Sequence, residues 1–172
     1  MNQHIYLFDP VERFVCGTVG EPGDRTFFIQ ARSGQRLTSV SLEKTQVQAI
    51  SDRLHLLLRE LRGAESSTPF LEVAADNHPL ETPIDEEFRV GFIAIDFDDE
   101  SKMIQIDLQA MTENESDEDA DILRVRASLG QIRAFIRRAD AVISAGRPPC
   151  PFCGGPIDSR GHLCPRANGY RR

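Results

Sequence analysis

The sequence predicts an α+β fold in which two tandem ββββα halves, each an antiparallel sheet with one long amphipathic helix, precede a C-terminal zinc knuckle. Three observations predict it. Short alternating runs separated by turn residues fill most of the chain, two longer stretches repeat their apolar residues at helical spacing, and three thiols and an imidazole crowd into fifteen residues near the end. The duplicated domain is expected over residues 1–146, with halves at about 1–63 and 70–146, and the knuckle over 147–172. At 172 residues the chain is long enough for one packed domain and a small appendage.

The first half opens with strand-like runs at His4 to Phe8, Arg13 to Val19, Arg25 to Arg32 and Arg36 to Leu42. Asp9-Pro10, Gly20 to Asp24 and Ser33-Gly34 are the turn signals between them. Glu43 to Arg62 then places Val47, Ile50, Leu54, Leu57 or Leu58, and Leu61 on one helical stripe, with Gly63 just beyond. His55 stands among leucines with no second ligand beside it, so it reads as a flanking or satisfied histidine.

After a polar connector, strands are expected at Phe70 to Ala75, Phe88 to Phe97, Lys102 to Ala110 and Ile122 to Ala127. A second helix is expected over Ser128 to Ala145, with Ile132, Phe135, Ile136, Ala139, Val142 and Ile143 on its apolar face and Ser128 with Gln131 as a capping box. The halves overlay. Leu37 to Leu42 matches Ile122 to Ala127, and Gln46 to Ile50 matches Gln131 to Phe135, both at an offset of 85. Arg25 to Ile29 lies against Lys102 to Ile106, and Phe14 to Gly17 against Phe88 to Gly91. This pattern suggests an internal duplication. The insertion Glu113 to Asp121 is a solvated acidic loop, and Asp96 to Glu100 lacks the glycine and distal glutamate of a calcium loop, so it reads as a hairpin turn.

The tail carries the most specific chemistry. A tetrahedral Zn²⁺ site needs four converging soft or borderline donors, and Cys150 with Cys153 supplies two from one tight turn. Gly154 can take a positive φ there, and Pro151 and Pro156 stiffen the turn. His162 and Cys164 form a second pair whose side chains point the same way in an extended segment. Four protein ligands, Cys150, Cys153, His162 and Cys164, would leave no open position, which makes the expected Zn²⁺ structural. A redox CxxC and a disulfide are the alternatives; the first wants a βαβ context and the second an oxidising compartment. Cys16 lies in an apolar run and is left out of the site.

Charge is segregated along the chain. Residues 1–123 hold ten Lys and Arg against 25 Asp and Glu, whereas residues 124–172 hold ten Arg against two Asp, within an overall charge of −7. Arginine forks suit phosphate or carboxylate, so Arg133, Arg137, Arg138, Arg166, Tyr170, Arg171 and Arg172 are candidates for binding a protein or nucleic-acid partner. Pairing with the acidic first part of the same chain is the other reading. No window approaches eighteen uncharged apolar residues and the N-terminus lacks signal-peptide features, so a cytoplasmic protein without membrane association is expected.

Phe8-Asp9-Pro10, the helix start Leu42-Glu43-Lys44-x-Gln46-Val47 and the tail Cys150-Pro-x-Cys153-Gly-x-Pro156-Ile157-Asp158-x-x-Gly161-His162-x-Cys164-Pro165-Arg166-x-Asn168-Gly169 resemble an uncharacterised family of actinobacterial proteins. The resemblance spans essentially the whole chain. It implies association in one pathway with histidine-phosphatase-like and phosphatidylinositol-kinase-like (lipid-kinase-like) proteins, and it brings no assigned reaction. Two tandem ββββα units are also similar to the Whirly and Pur-alpha arrangement, which implies single-stranded nucleic-acid binding by the sheets. Acidic strands and loops without interleaved basic and aromatic residues depart from that pattern.

The expected function is an intracellular zinc-binding protein, a non-enzymatic regulator or adaptor that presents a basic C-terminal region to a partner. The alternative is a hydrolase or phosphoryl-handling enzyme, with Asp76, His78, Asp85, Glu86 and Glu87 in the connector as its polar site. Phosphate-cradling glycine loops, a nucleophile elbow and a zincin helix are missing.

Overall fold

The computed structural model describes residues 2–21, 23–64, 73–114, 118–145 and 150–154. The first five elements follow the alternation and the helical stripe closely: β1 (Ile5–Phe8), β2 (Arg13–Val19), β3 (Thr26–Ser33), β4 (Arg36–Leu42) and α1 (Lys44–Ala64). Beyond the connector come β5 (Glu86–Asp98), β6 (Met103–Ala110), β7 (Ile122–Ser128) and α2 (Leu129–Ser144). The seven strands form one sheet in the order β1-β7-β6-β5-β4-β3-β2, giving a mixed α+β fold. No described helix is long and apolar enough to cross a membrane.

Two expectations change. Instead of a sheet for each half there is one shared sheet, and it is not wholly antiparallel: β4 with β5 and β1 with β7 run parallel. The helical crossover through α1 returns the chain to the end of the sheet from which β4 started, which makes β5 parallel to it. The strand expected at Phe70 to Ala75 is also not found among the described residues, where 73–75 carry no ladder; 70–72 lie outside them. Polar side chains hold this connector in place of a strand partner. Among the described residues the second half therefore shows three strands and a helix.

The short link from β1 to β2 forces the sheet to curl. Phe8 and Arg13 are five Cα steps apart, a reach of at most about 18 Å, yet the outer strands of a flat seven-stranded sheet would lie about 29 Å apart. The hydrogen bonds show how it closes: Val11 N–H donates to Arg126 O of β7, and Glu12 N–H donates to Arg32 O of β3, each at 3.0 Å. Residues 5–19 thus act as one bent strand serving both edges.

The bulged strand β5 does the same, pairing through Glu86 and Arg89 with β4 and through Val90 to Asp98 with β6. The registers correspond. Adding 79 to residues of β1 and β2, 77 to β3 and 85 to β4 turns Leu7, Cys16, Ile29 and Val40 into Glu86, Ile95, Ile106 and Val125. The pairs Cys16↔Ile29 and Ile29↔Val40 thereby become Ile95↔Ile106 and Ile106↔Val125, and Ser39↔Glu86 answers to Leu7↔Arg124. The overlay of Phe14 to Gly17 on Phe88 to Gly91 is five residues out of step, because the first residues of β5 take the role of β1 rather than of β2.

One core joins strands and helices. Ile104, Ile106 and Leu108 on β6 and Leu123, Val125 and Ala127 on β7 are wholly buried on alternate positions, facing Val47, Ile50 and Leu54 of α1 and Ile132, Phe135 and Ala139 of α2. Phe135 stacks on Phe14 with ring centroids 4.4 Å apart, worth about 1 kcal/mol beyond the area it buries. Ser128 and Gln131 form the expected capping box.

Candidate functional site

The tail begins with a tight turn at its first two cysteines. Residues 151–153 form a turn, Gly154 N–H donates to Cys150 O at 2.8 Å, and Gly154 holds a φ of 73°, a conformation glycine adopts without strain. Cys150 is buried and Cys153 half-buried, and neither is in a disulfide. His162 and Cys164, with Arg166, Tyr170, Arg171 and Arg172, lie outside the described residues. Among the described residues no three His, Cys, Asp or Glu side chains gather closely enough to hold a metal. Cys16 is wholly buried, and burial pushes its thiol up to about 12, against a smaller downward pull from Arg138. It packs there as a small apolar side chain in the core.

The connector candidates separate into structural clasps. Arg13 grips Asp76 with two bonds, Nε to Oδ2 at 2.7 Å and Nη2 to Oδ1 at 3.2 Å, and donates to the carbonyls of His78 and Pro79. Arg138 reaches in from α2 and donates to the carbonyls of Cys16, Asp76 and His78. Asp76 Oδ1 also accepts the His78 N–H, closing a local turn. The Arg13 hydrogen bond, more than any other influence, holds the Asp76 carboxyl below the usual carboxylate range.

Further along, Gln30 is buried and exchanges two 2.9 Å bonds with the Glu81 backbone. Leu80 lies over Gly17, so close that a Cβ there would meet its Cγ at 2.7 Å. Glu86 accepts from Ser41 Oγ and Glu87 from Tyr6 OH, while Asp85 is exposed. Asp76 and His78 line an open cavity of about 880 Å³ with Arg13 and Arg32, but neither Glu86 nor Glu87 joins them. The five candidates do not converge on one reacting atom, and the acid among them that is buried deepest is neutralised by arginine.

The three α2 arginines take two directions. Arg138 is committed to the connector. Arg133 and Arg137 line, with Arg59 and Arg62 of α1, a groove of about 470 Å³ that also takes in Leu58, Ile136 and His55, and Arg137 further borders the cavity that Asp76 and Asn77 share with α2. His55 Nε2 and Ser51 Oγ both bond the Asp140 carboxylate, at 2.9 and 2.5 Å, and so tie the two helices together. The satisfied reading of this histidine fits that contact. Arg59 and Arg62 were not among the sequence candidates, although their four- and seven-residue spacing from His55 already set them on one helix face; what the spacing could not show is that this face meets α2.

A family model described as "Protein of unknown function (DUF3090)" matches residues 6–164. No curated protein matches the chain, and no solved structure does.

Proposed function

We propose, on the premise that the chain belongs to the DUF3090 family of proteins of unknown function, that it is an intracellular zinc-binding regulator or adaptor with no reaction of its own. The observation that carries the metal reading is the Cys150 to Gly154 turn, in which a positive-φ glycine folds its amide back onto the Cys150 carbonyl. A CxxC pair on such a turn can supply two thiolates, half of a tetrahedral site. The other half would be His162 and Cys164, and the matched family span ends at Cys164, so it includes all four donors. A closed set of one imidazole and three thiolates suits Zn²⁺ and holds structure rather than substrate.

The adaptor reading draws on the arginines. Those facing the outer side of the sheet are already paired, Arg124 with Asp107 and Arg126 with Asp98 and Asp9. This argues against the Whirly-like mode, in which sheets bind single-stranded nucleic acid, and assigns an anionic partner to the basic C-terminal region instead. The shared ladder registers support an origin by duplication of a strand-strand-strand-helix unit, one strand shorter than a ββββα repeat.

Elemental analysis of the purified, reduced protein tests the metal reading. About one zinc per chain is expected in the wild type and little in Cys153→Ser; no zinc in fresh wild-type protein would return the thiols to redox chemistry.

A further inference from the structure

We propose that the tail beyond Gly154 docks on the outer face of the sheet at β5, with Leu163 seated in a groove beside Phe92 and Met111. The two halves present corresponding hollows. The ladder registers make Arg13, Arg32, Gly34 and Gln35, which border the cavity of about 880 Å³, the counterparts of Phe92, Gln109, Met111 and Thr112, which line a groove of about 470 Å³. In the first half the connector packs into this place: Leu80 lies over Gly17, Arg13 holds Asp76, and Gln30 holds the Glu81 backbone. Val15, between Arg13 and Gly17 on the same face of β2, is accordingly only 3% exposed. In the second half its counterpart Ala94 is half-buried, while Phe92 is 63% exposed and Met111 56%. Two large apolar side chains open on one groove mark a contact surface.

The occupant follows from the duplication. The connector follows α1 as the tail follows α2: Leu80 stands sixteen positions beyond Ala64, the end of α1, and Leu163 nineteen beyond Ser144, the end of α2. In an extended HxC pair, alternate side chains turn His162 and Cys164 toward the metal and Leu163 to the opposite side, against the sheet. Charge supports the same occupant. Asp96, on the same face of β5 as Phe92 and Ala94, is exposed where the first half has Gly17 beneath Leu80. Residues 155–172 bring four arginines to it against one aspartate, Asp158. A tail tethered to the same chain also meets the groove at a far higher effective concentration than a second copy does. Docking deepens the adaptor reading by fixing where the basic end is presented. Only the direction of Leu163 rests on the metal reading.

The test is photo-crosslinking of the full chain, its zinc content measured, with benzoylphenylalanine in place of Phe92, an aromatic exchange at an exposed position. Irradiation should join position 92 to a peptide within residues 155–172 of the same chain, identified by mass spectrometry of the monomer. The same probe in place of Val19, exposed at the end of β2, should not reach the tail. Leu163→Glu sets a charge against Phe92 and Met111, and Asp96→Arg reverses the counter-charge to the tail; each should lower the yield at position 92 severalfold. Thermal unfolding should verify an intact fold for both variants, and zinc content should stay at the wild-type value in Leu163→Glu. Links to the tail in protein that lacks zinc would uphold the docking and remove only the metal reading. Links solely between two chains, links solely to other segments of the chain, or an undiminished yield in both variants would overturn the proposal.

Discussion

At the scale of single residues, Asp76 shows how a suggestive pair becomes a fastening. Asp76 and His78 look like acid and base in the sequence, but Arg13 and Arg138, more than sixty positions away in either direction, turn the aspartate into the anchor of the connector. Nothing local in the sequence could show this, because both partners arrive by tertiary packing. The consequence is measurable. Asp76→Asn keeps an acceptor for the His78 N–H and removes the charge facing Arg13, whose side chain is only 11% exposed. A loss of about 1–3 kcal/mol is expected at neutral pH by urea denaturation. The pH dependence follows from the sign of the shift. A carboxyl held below its unfolded value of about 3.9 stabilises the fold above that pH, and the stabilisation is lost as pH falls through the folded value. Wild type should therefore lose more stability than Asp76→Asn on acidification below about pH 4; parallel acid limbs would assign the clasp to the neighbouring backbone bonds instead.

At the scale of elements, whatever depended on period was readable. Alternation marks β6, where Ile104, Ile106 and Leu108 are wholly buried, and the Ser128 and Gln131 pair places the start of α2. The connector was not readable as such, since Arg13, Gln30 and Arg138 hold it and no ladder gives it a period. A less visible regularity lies in two glutamines 85 positions apart. Gln46 accepts from the Glu43 N–H and donates to Val90 O; Gln131 accepts from the Ser128 N–H and donates to Val11 O. Each glutamine caps its helix and fastens it to the strand chain running parallel to the one just left. Gln46→Ala or Gln131→Ala should each cost about 1–2 kcal/mol, more than an isolated surface cap, because a backbone carbonyl also loses its donor. The two share no partner, so the double variant should show the sum of the single losses in chemical denaturation. A double loss no larger than either single one would mean that the glutamines are coupled through the sheet.

At the scale of the whole molecule, the feature least legible in the sequence is the closure, because β1 and its parallel partner β7 lie more than a hundred residues apart and no local signal connects them. Closure also explains why so short a strand carries so much. Phe8, at the end of four-residue β1, is 1% exposed, lies under the Arg36 guanidinium at 4.7 Å, and sits beside the Leu7 carbonyl to which Arg36 donates at 2.8 Å. Val11 follows at 2% exposure, and the next two amide bonds go to β7 and then β3. Phe8→Ala should cost about 3–5 kcal/mol, the range for emptying an aromatic site in a core. Its effect should also spread beyond the cavity. If residues 5–19 form one bent strand, loosening Phe8 should release the Ile122 amide, bonded to His4 O, and the Val11 and Glu12 amides at a common rate in hydrogen exchange. If β1 is only an appended edge, the Ile122 amide alone should open faster, and Glu12, bonded to β3, should keep its wild-type protection. Common opening would show that the two ends of the sheet are held by one cooperative segment, so that the short link through Asp9 to Glu12 governs the stability of the whole sheet.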